Sequence, residues 1–284
     1  MKVIDQALLE KVIIERSCTS HKGDYGRLLL LGGTYPYGGA IIMAALAAVK
    51  SGAGLVTIGT DRENIPALHS HLPEAMAFAL QDQQLLKEQL DKAEVVLLGP
   101  GLGDDAFGEN LVKQAFDSLR QNQILIVDGG ALTILARISL SFPSSQLILT
   151  PHQKEWEKLS GITIEKQNEA TTASALISFP QGTILVEKGP ATRIWQAGQS
   201  DYYQLQVGGP YQATGGMGDT LAGMIAGFAG QFKQANLYER VAVATHLHSA
   251  IAQELAQEYY VVLPTEITNC LPKVMNKISQ KRLG

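Results

Sequence analysis

The chain has 284 residues, is 45% hydrophobic and 18% charged, and carries a formal net charge of −4. This suits one large α/β domain with its own core, and no Pro/Ser-rich, charged or low-complexity linker breaks it, so 1–284 reads as a single domain. The acidic balance argues against a nucleic-acid partner, and the basic end, Lys277–Arg282, reads as a solvated helix tail. Cys18 and Cys270 have no metal-ligand spacing and suggest a reducing compartment. Met1–Asp5 does not resemble a signal peptide, and the longest apolar run, Ala40–Val49, stops at Lys50, too short to span a membrane. A cytoplasmic protein is the expectation.

Along the chain, His21-Lys22-Gly23-Asp24-Tyr25-Gly26-Arg27 leads into a strand, Arg27–Leu31, that ends at Gly32-Gly33. Tyr37-Gly38-Gly39-Ala40 opens a helix, Ala40–Lys50. That helix start could hold a phosphate or admit a substrate ring to the backbone, or be only a tight turn. Further apolar runs follow, each ending in chemistry-bearing or turn residues. Leu55–Ile58 ends at Gly59-Thr60-Asp61. Val95–Leu98 ends at Gly99-Pro100-Gly101-Leu102-Gly103, a glycine density that suits backbone approach to a ligand. After a helix over Gly108–Gln121, Ile124–Val127 ends at Asp128-Gly129-Gly130. Leu147–Leu149 ends at Thr150-Pro151-His152, with Glu155 three residues on. A helix over Glu165–Phe179 precedes Thr183–Val186, which ends at Glu187-Lys188-Gly189.

These runs do not alternate apolar with polar, so both faces should be buried, as in a parallel sheet between helical layers. Ligands of such sheets bind beyond the carboxyl ends of the strands, so the residues at those ends should converge on one crevice. Thr192–Gln196 and Tyr202–Val207 read as a hairpin, a short antiparallel edge. Helices are expected over Leu221–Gly230, Leu237–Glu258 and Thr265–Lys277. His152 and Glu155 do not form a zinc motif, and no metal-ligand set is visible.

Thr214-Gly215-Gly216-Met217-Gly218-Asp219-Thr220 is the richest segment. It places three glycines and an aspartate in a loop that opens at once into an apolar helical run. Such a helix start aims unpaired N–H groups and a positive dipole end at an anion, and glycine lets a phosphate approach closely. Gly216, Met217 and Gly218 would form an anion hole, and Asp219 beside them would serve as base for passing a phosphoryl group to a hydroxyl.

The ordered set HKGDYGR, GG, SGAGLV, GPGLG, LTPHxxE, EKGxxT, ATGGMGD resembles the ADP/ATP-dependent NAD(P)H-hydrate dehydratase family of the ribokinase-like superfamily, over nearly the whole chain from His21 on. The resemblance implies a three-layer α/β/α sandwich. It implies dehydration of the S form of hydrated NADH or NADPH, driven by ADP or ATP with Mg²⁺, giving AMP or ADP and phosphate. By the same resemblance Ala40, Gly103, His152 and Asp219 would contact the hydrated dinucleotide. Lys188, Gly189, Pro190, Ala191, Thr192 and Gly218 would hold the adenine nucleotide, and Asp219 would be catalytic. It further implies a homo-oligomer, a tetramer, and a functional link to a separate NAD(P)H-hydrate epimerase. Three positions depart from the family pattern: Met217 replaces a small hydroxyl residue, Lys154 a glycine, and Gly130 a second acid. The rival reading is a small-alcohol or vitamin kinase of the same superfamily, of hydroxyethylthiazole or pyrimidine kinase type. A non-catalytic nucleotide-binding regulator is the other.

Overall fold

The structure, a computed structural model, describes residues 1–280. Nine strands form one sheet: β1 (Arg27–Leu31), β2 (Leu55–Thr60), β3 (Met76–Ala79), β4 (Val95–Leu98), β5 (Ile124–Val127), β6 (Gln146–Leu149), β7 (Ile184–Glu187), β8 (Arg193–Gln196) and β9 (Tyr203–Gln204). Their order is β3-β2-β1-β4-β5-β6-β7-β8-β9. β1 to β7 run parallel, and β8 and β9 add antiparallel at one edge. The order reverses between β1 and β4, and the connections there part to opposite sides and leave a crevice.

Burial on both faces explains why the strands read as unbroken apolar runs. Leu28, Leu30, Val95, Leu97, Ile126 and Ile148 face one helical layer, while Leu29, Leu31, Val96, Leu98, Val127 and Leu149 face the other. The first layer holds the helices Gly38–Lys50, Met217–Gly230, Leu237–Leu255 and Pro264–Gln280. The second holds Gln83–Lys92, Ala106–Ser118, Gly129–Arg137 and Gln153–Ser160. Every residue of Met217–Gly230 from Thr220 onward is buried. A helix that is apolar all round belongs at the centre of a layer. It lies so close to Gly38–Lys50 that a side chain at Gly223 would overlap the Ala44 carbonyl, and one at Gly227 the side chain of Ser51.

The structure differs from the sequence reading at three points. Glu165–Phe179 is not one helix: Asn168 accepts from the Ala170 and Thr171 N–H groups and starts the helix Glu169–Ala175 afresh, between two 3₁₀ turns. β3 escaped notice because four residues at a sheet edge make too short a run to stand out. The helices Gln6–Val12, Asn64–His71, Gln83–Lys92, Gly129–Arg137 and Gln153–Ser160 fill stretches the pattern leaves unassigned, three of them started by Asp5, Asp82 and His152 as side-chain caps. Of the basic end, Lys281 and Arg282 lie outside the described residues. No described helix is long and apolar enough to cross a membrane.

Candidate active site

The loops after β1 and β4 are tied together at the switch point. Gly33 N–H donates to the Pro100 carbonyl at 2.8 Å, Thr34 N–H to the Gly101 carbonyl at 2.9 Å, and Gly103 N–H to Thr34 Oγ1 at 2.8 Å. Gly101 has φ +63°, and a Cβ there would stand 2.9 Å from the Ala40 methyl. Ala40, in the first turn of Gly38–Lys50, therefore lies against the GPGLG loop that carries Gly103. A Cβ on neighbouring Gly39 would meet nothing within 4 Å, so that helix start faces open space.

The ends of β5, β6 and β7 supply charge. Asp128 follows β5, and its Oδ1 accepts from Thr150 Oγ1 at 2.6 Å and from Lys188 Nζ at 2.9 Å. His152 caps the helix Gln153–Ser160: its Nδ1 accepts from the Lys154 and Glu155 N–H groups, while its own N–H donates to Glu155 Oε2 at 2.8 Å. An accepting Nδ1 requires the neutral ring with its proton on Nε2. Burial, then the Lys188 charge, hold the His152 pKa below its ordinary value, which favours that form. The side chain is 56% exposed, and its Nε2 stands 3.5 Å from Glu155 Oε1.

Lys188 follows β7, and its Nζ stands 3.2 Å from where a Cβ on Gly218 would be. The ammonium thus overlies the start of Met217–Gly230. Gly216 caps that helix in the left-handed region, at φ +91°. In this geometry the N–H groups of Met217, Gly218 and Asp219 have no acceptor within the helix. Burial would strip Lys188 of its proton, but Asp128, then Glu155 and Asp219, outweigh it and raise its pKa. The acids respond the other way. Burial pushes Glu155 up to about 7 and Asp219 up to about 6, with Asp128 reinforcing both and Lys188 opposing. A carboxyl in this range is suited to take a proton at neutral pH.

A cavity of about 490 Å³ adjoins this cluster. Lys188, Gly189, Pro190, Thr192, Met217 and Gly218 line it, with Val207–Pro210, Gln212 and His248 beyond. Ala191 is exposed in the same turn, which Thr192 Oγ1 braces by donating to the Gly189 carbonyl at 3.0 Å. Buried polar atoms without partners belong to or adjoin the lining segments: Tyr211 Oη, Thr214 Oγ1, Thr220 Oγ1 and His248 Nε2. Unsatisfied groups gathered around one cavity suit a polar ligand.

Two of the departures from the family pattern have a physical account. A side chain at Gly130 would overlap the Leu102 carbonyl, so the backbone here excludes an acid. Lys154 sits in the first turn of a regular helix and needs none of glycine's freedom. The sequence reading missed Glu155 and His248 as charged or polar neighbours of the cluster, and the structural weight of Asp128. Asp128 stands at a strand end and Glu155 three residues after His152, both legible in the sequence, whereas nothing in the spacing links His248 to the Gly-rich loop.

The HKGDYGR segment lies elsewhere. It precedes β1, and Asp24 and Tyr25 line a larger cavity of about 890 Å³ at the opposite ends of the strands. The helices Gly38–Lys50 and Met217–Gly230 present their carboxyl ends there. Those ends repel anions, so the larger cavity is the poorer phosphate site.

Known proteins resemble this chain in sequence and in fold over nearly its whole length. The NAD(P)H-hydrate dehydratase family profile matches residues 28–273. An ADP-dependent (S)-NAD(P)H-hydrate dehydratase of Streptococcus pneumoniae is 88% identical over 281 residues, 99% of this chain and 97% of its own. A ribokinase-like superfamily protein of Enterococcus faecalis superposes with a TM-score of 0.92 at 42% identity, covering 98% of this chain and 96% of the other. The ADP/ATP-dependent NAD(P)H-hydrate dehydratase of Bacillus subtilis, co-crystallised with ATP and Mg²⁺, gives 0.81 at 29% identity, covering 96% and 97%. The profile match over most of the chain and the near-full-length identity to a curated dehydratase show that the chain belongs to the NAD(P)H-hydrate dehydratase family, on the ribokinase-like fold.

Proposed function

We infer that this protein is an ADP-dependent (S)-NAD(P)H-hydrate dehydratase, a lyase that restores hydrated NADH and NADPH to the working cofactors. The observation that carries the reading is the juxtaposition of Asp219, the open helix start at Gly216–Gly218 and Lys188 beside a cavity large enough for a nucleotide. The 88% identity to a dehydratase over nearly the full length favours it over a small-alcohol kinase.

The ring hydroxyl of the hydrate is a poor leaving group. Asp219 accepts its proton as the oxygen attacks the terminal phosphorus of ADP, and AMP departs. Lys188 and the N–H groups of Met217 and Gly218 take up the charge on the migrating group. The ring nitrogen's lone pair then expels phosphate, and loss of a proton from the adjacent carbon restores the double bond. Gly189–Thr192 would hold the nucleotide, and Ala40, Gly103 and His152 the dinucleotide. The described residues contain no cluster of three or more His, Cys, Asp or Glu side chains gathered for a metal. Mg²⁺ on the nucleotide phosphates would neutralise part of their charge. The same reading includes a cytoplasmic homotetramer supplied with the S form by a separate epimerase.

The test is to mix protein, Mg²⁺, ADP and hydrated NADH. Recovery of NADH absorbance with equimolar AMP and phosphate is expected. A stable phosphorylated alcohol in place of NADH would establish the kinase reading instead.

A further inference from the structure

Asp128 stands at the N-cap of the helix Gly129–Arg137, yet its side chain makes no capping hydrogen bond. Aspartate is among the best residues for that task. The carboxylate is instead turned across the strand ends, to Thr150 Oγ1 and Lys188 Nζ. Asp128 is 2% exposed and Thr150 is fully buried. A buried ion pair is weak evidence of stabilisation, so forgoing the cap calls for another reason.

The surroundings supply one. Three carboxylates, Asp128, Glu155 and Asp219, act on the single ammonium of Lys188. Only Asp128 bonds it directly. Released from Asp128, the ammonium could close on Asp219 and quench the base.

We propose that Asp128 is a positioning residue for phosphoryl transfer: by anchoring Lys188 it keeps the ammonium over Gly218, where the migrating group passes, and off the Asp219 carboxylate. This rests on Asp219 being the base. The charged and titratable groups around Asp219 come from every neighbouring element. Asp128 after β5 and Lys188 after β7 act on it directly, while His152, Glu155 and Lys158 at and within the helix Gln153–Ser160, and His248 on Leu237–Leu255, are coupled to it through that pair. Burial holds His248 down at about 4, so it stays neutral near neutral pH.

The experiment is the pH dependence of kcat and KM for Asp128→Asn in the full chain, with ADP, Mg²⁺ and hydrated NADH. Asparagine keeps the shape and one acceptor but loses the charge. The expected result is a fall in kcat of about ten- to a hundredfold, with KM for ADP changed by less than about threefold. The acid limb of kcat should move to lower pH, because Asp219 loses a like charge and gains a closer cation. Lys188→Met removes the cation itself and should lower kcat while moving the acid limb the other way, to higher pH. Loss of the Asp128 charge alone would also lower the limb but would leave the plateau kcat in place, so a folded Asp128→Asn protein with the parental plateau kcat overturns the proposal. If Asp128→Asn does not fold, an undiminished plateau kcat in Lys188→Met overturns it equally, because the anchored ammonium would then do nothing for the transfer. Turnover by Asp219→Asn would refute the base itself. An inactive Asp219→Asn beside a normal Asp128→Asn would refute only the positioning role.

Discussion

Replacing Asp219 by asparagine removes a charge that the folded state holds unfavourably. Burial and the neighbouring Asp128 raise the Asp219 carboxyl from 3.8 to about 6. A carboxyl whose pKa is raised on folding binds its proton more tightly in the native state. Its contribution to stability is therefore present below pH 3.8 and is lost as pH rises toward about 6. In full, that shift corresponds to about 3 kcal/mol. Asp219 is partly exposed, and the amide that replaces it must also be desolvated, so a gain of about 1–2 kcal/mol is the expectation. Urea unfolding of the nucleotide-free protein should show Asp219→Asn more stable than the parent at about pH 8, and the two should converge at about pH 4. In the same preparation, turnover should fall by about 10²–10⁴-fold, the range for loss of a general base. Equal stability at both pH values would show that the site does not strain this carboxylate. Near-normal turnover would remove Asp219 from the chemistry.

The other predictions follow from the same geometry. For the parent enzyme, kcat/KM should decline as pH falls below about 6, as Asp219 takes up its proton, which a pH–rate profile reads directly. His152→Ala should both raise KM for the hydrated cofactor and lose a helix cap, at about 1 kcal/mol. His152→Asn keeps a capping acceptor, so it should raise KM while melting close to the parent; an unchanged KM in both would make His152 purely structural. Gly223→Ala should destabilise the protein by about 1–3 kcal/mol by forcing apart Gly38–Lys50 and Met217–Gly230, as measured by denaturant unfolding.

The sequence by itself determined the parallel sheet, because strands buried on both faces must read as continuous apolar runs. It also determined the glycine turn that opens Met217–Gly230, because Gly216 takes a left-handed conformation just before an apolar helical run. The Ala40, Gly103, His152 and Lys188 positions were legible as strand ends and helix starts, since α/β sheets gather such ends at one edge. Tertiary structure alone decided which of these ends carry charge to one another. The ion pair of Asp128 with Lys188 joins residues 60 apart in the chain, and no local spacing encodes it. The same holds for Gly130, whose missing side chain is explained only by the Leu102 carbonyl pressed against it. Local sequence sets backbone preference and burial pattern, which are short-range. The pKa values of Asp219 and Glu155 depend on desolvation and on charges brought from β5, β6 and β7, so they exist only once the strands have assembled.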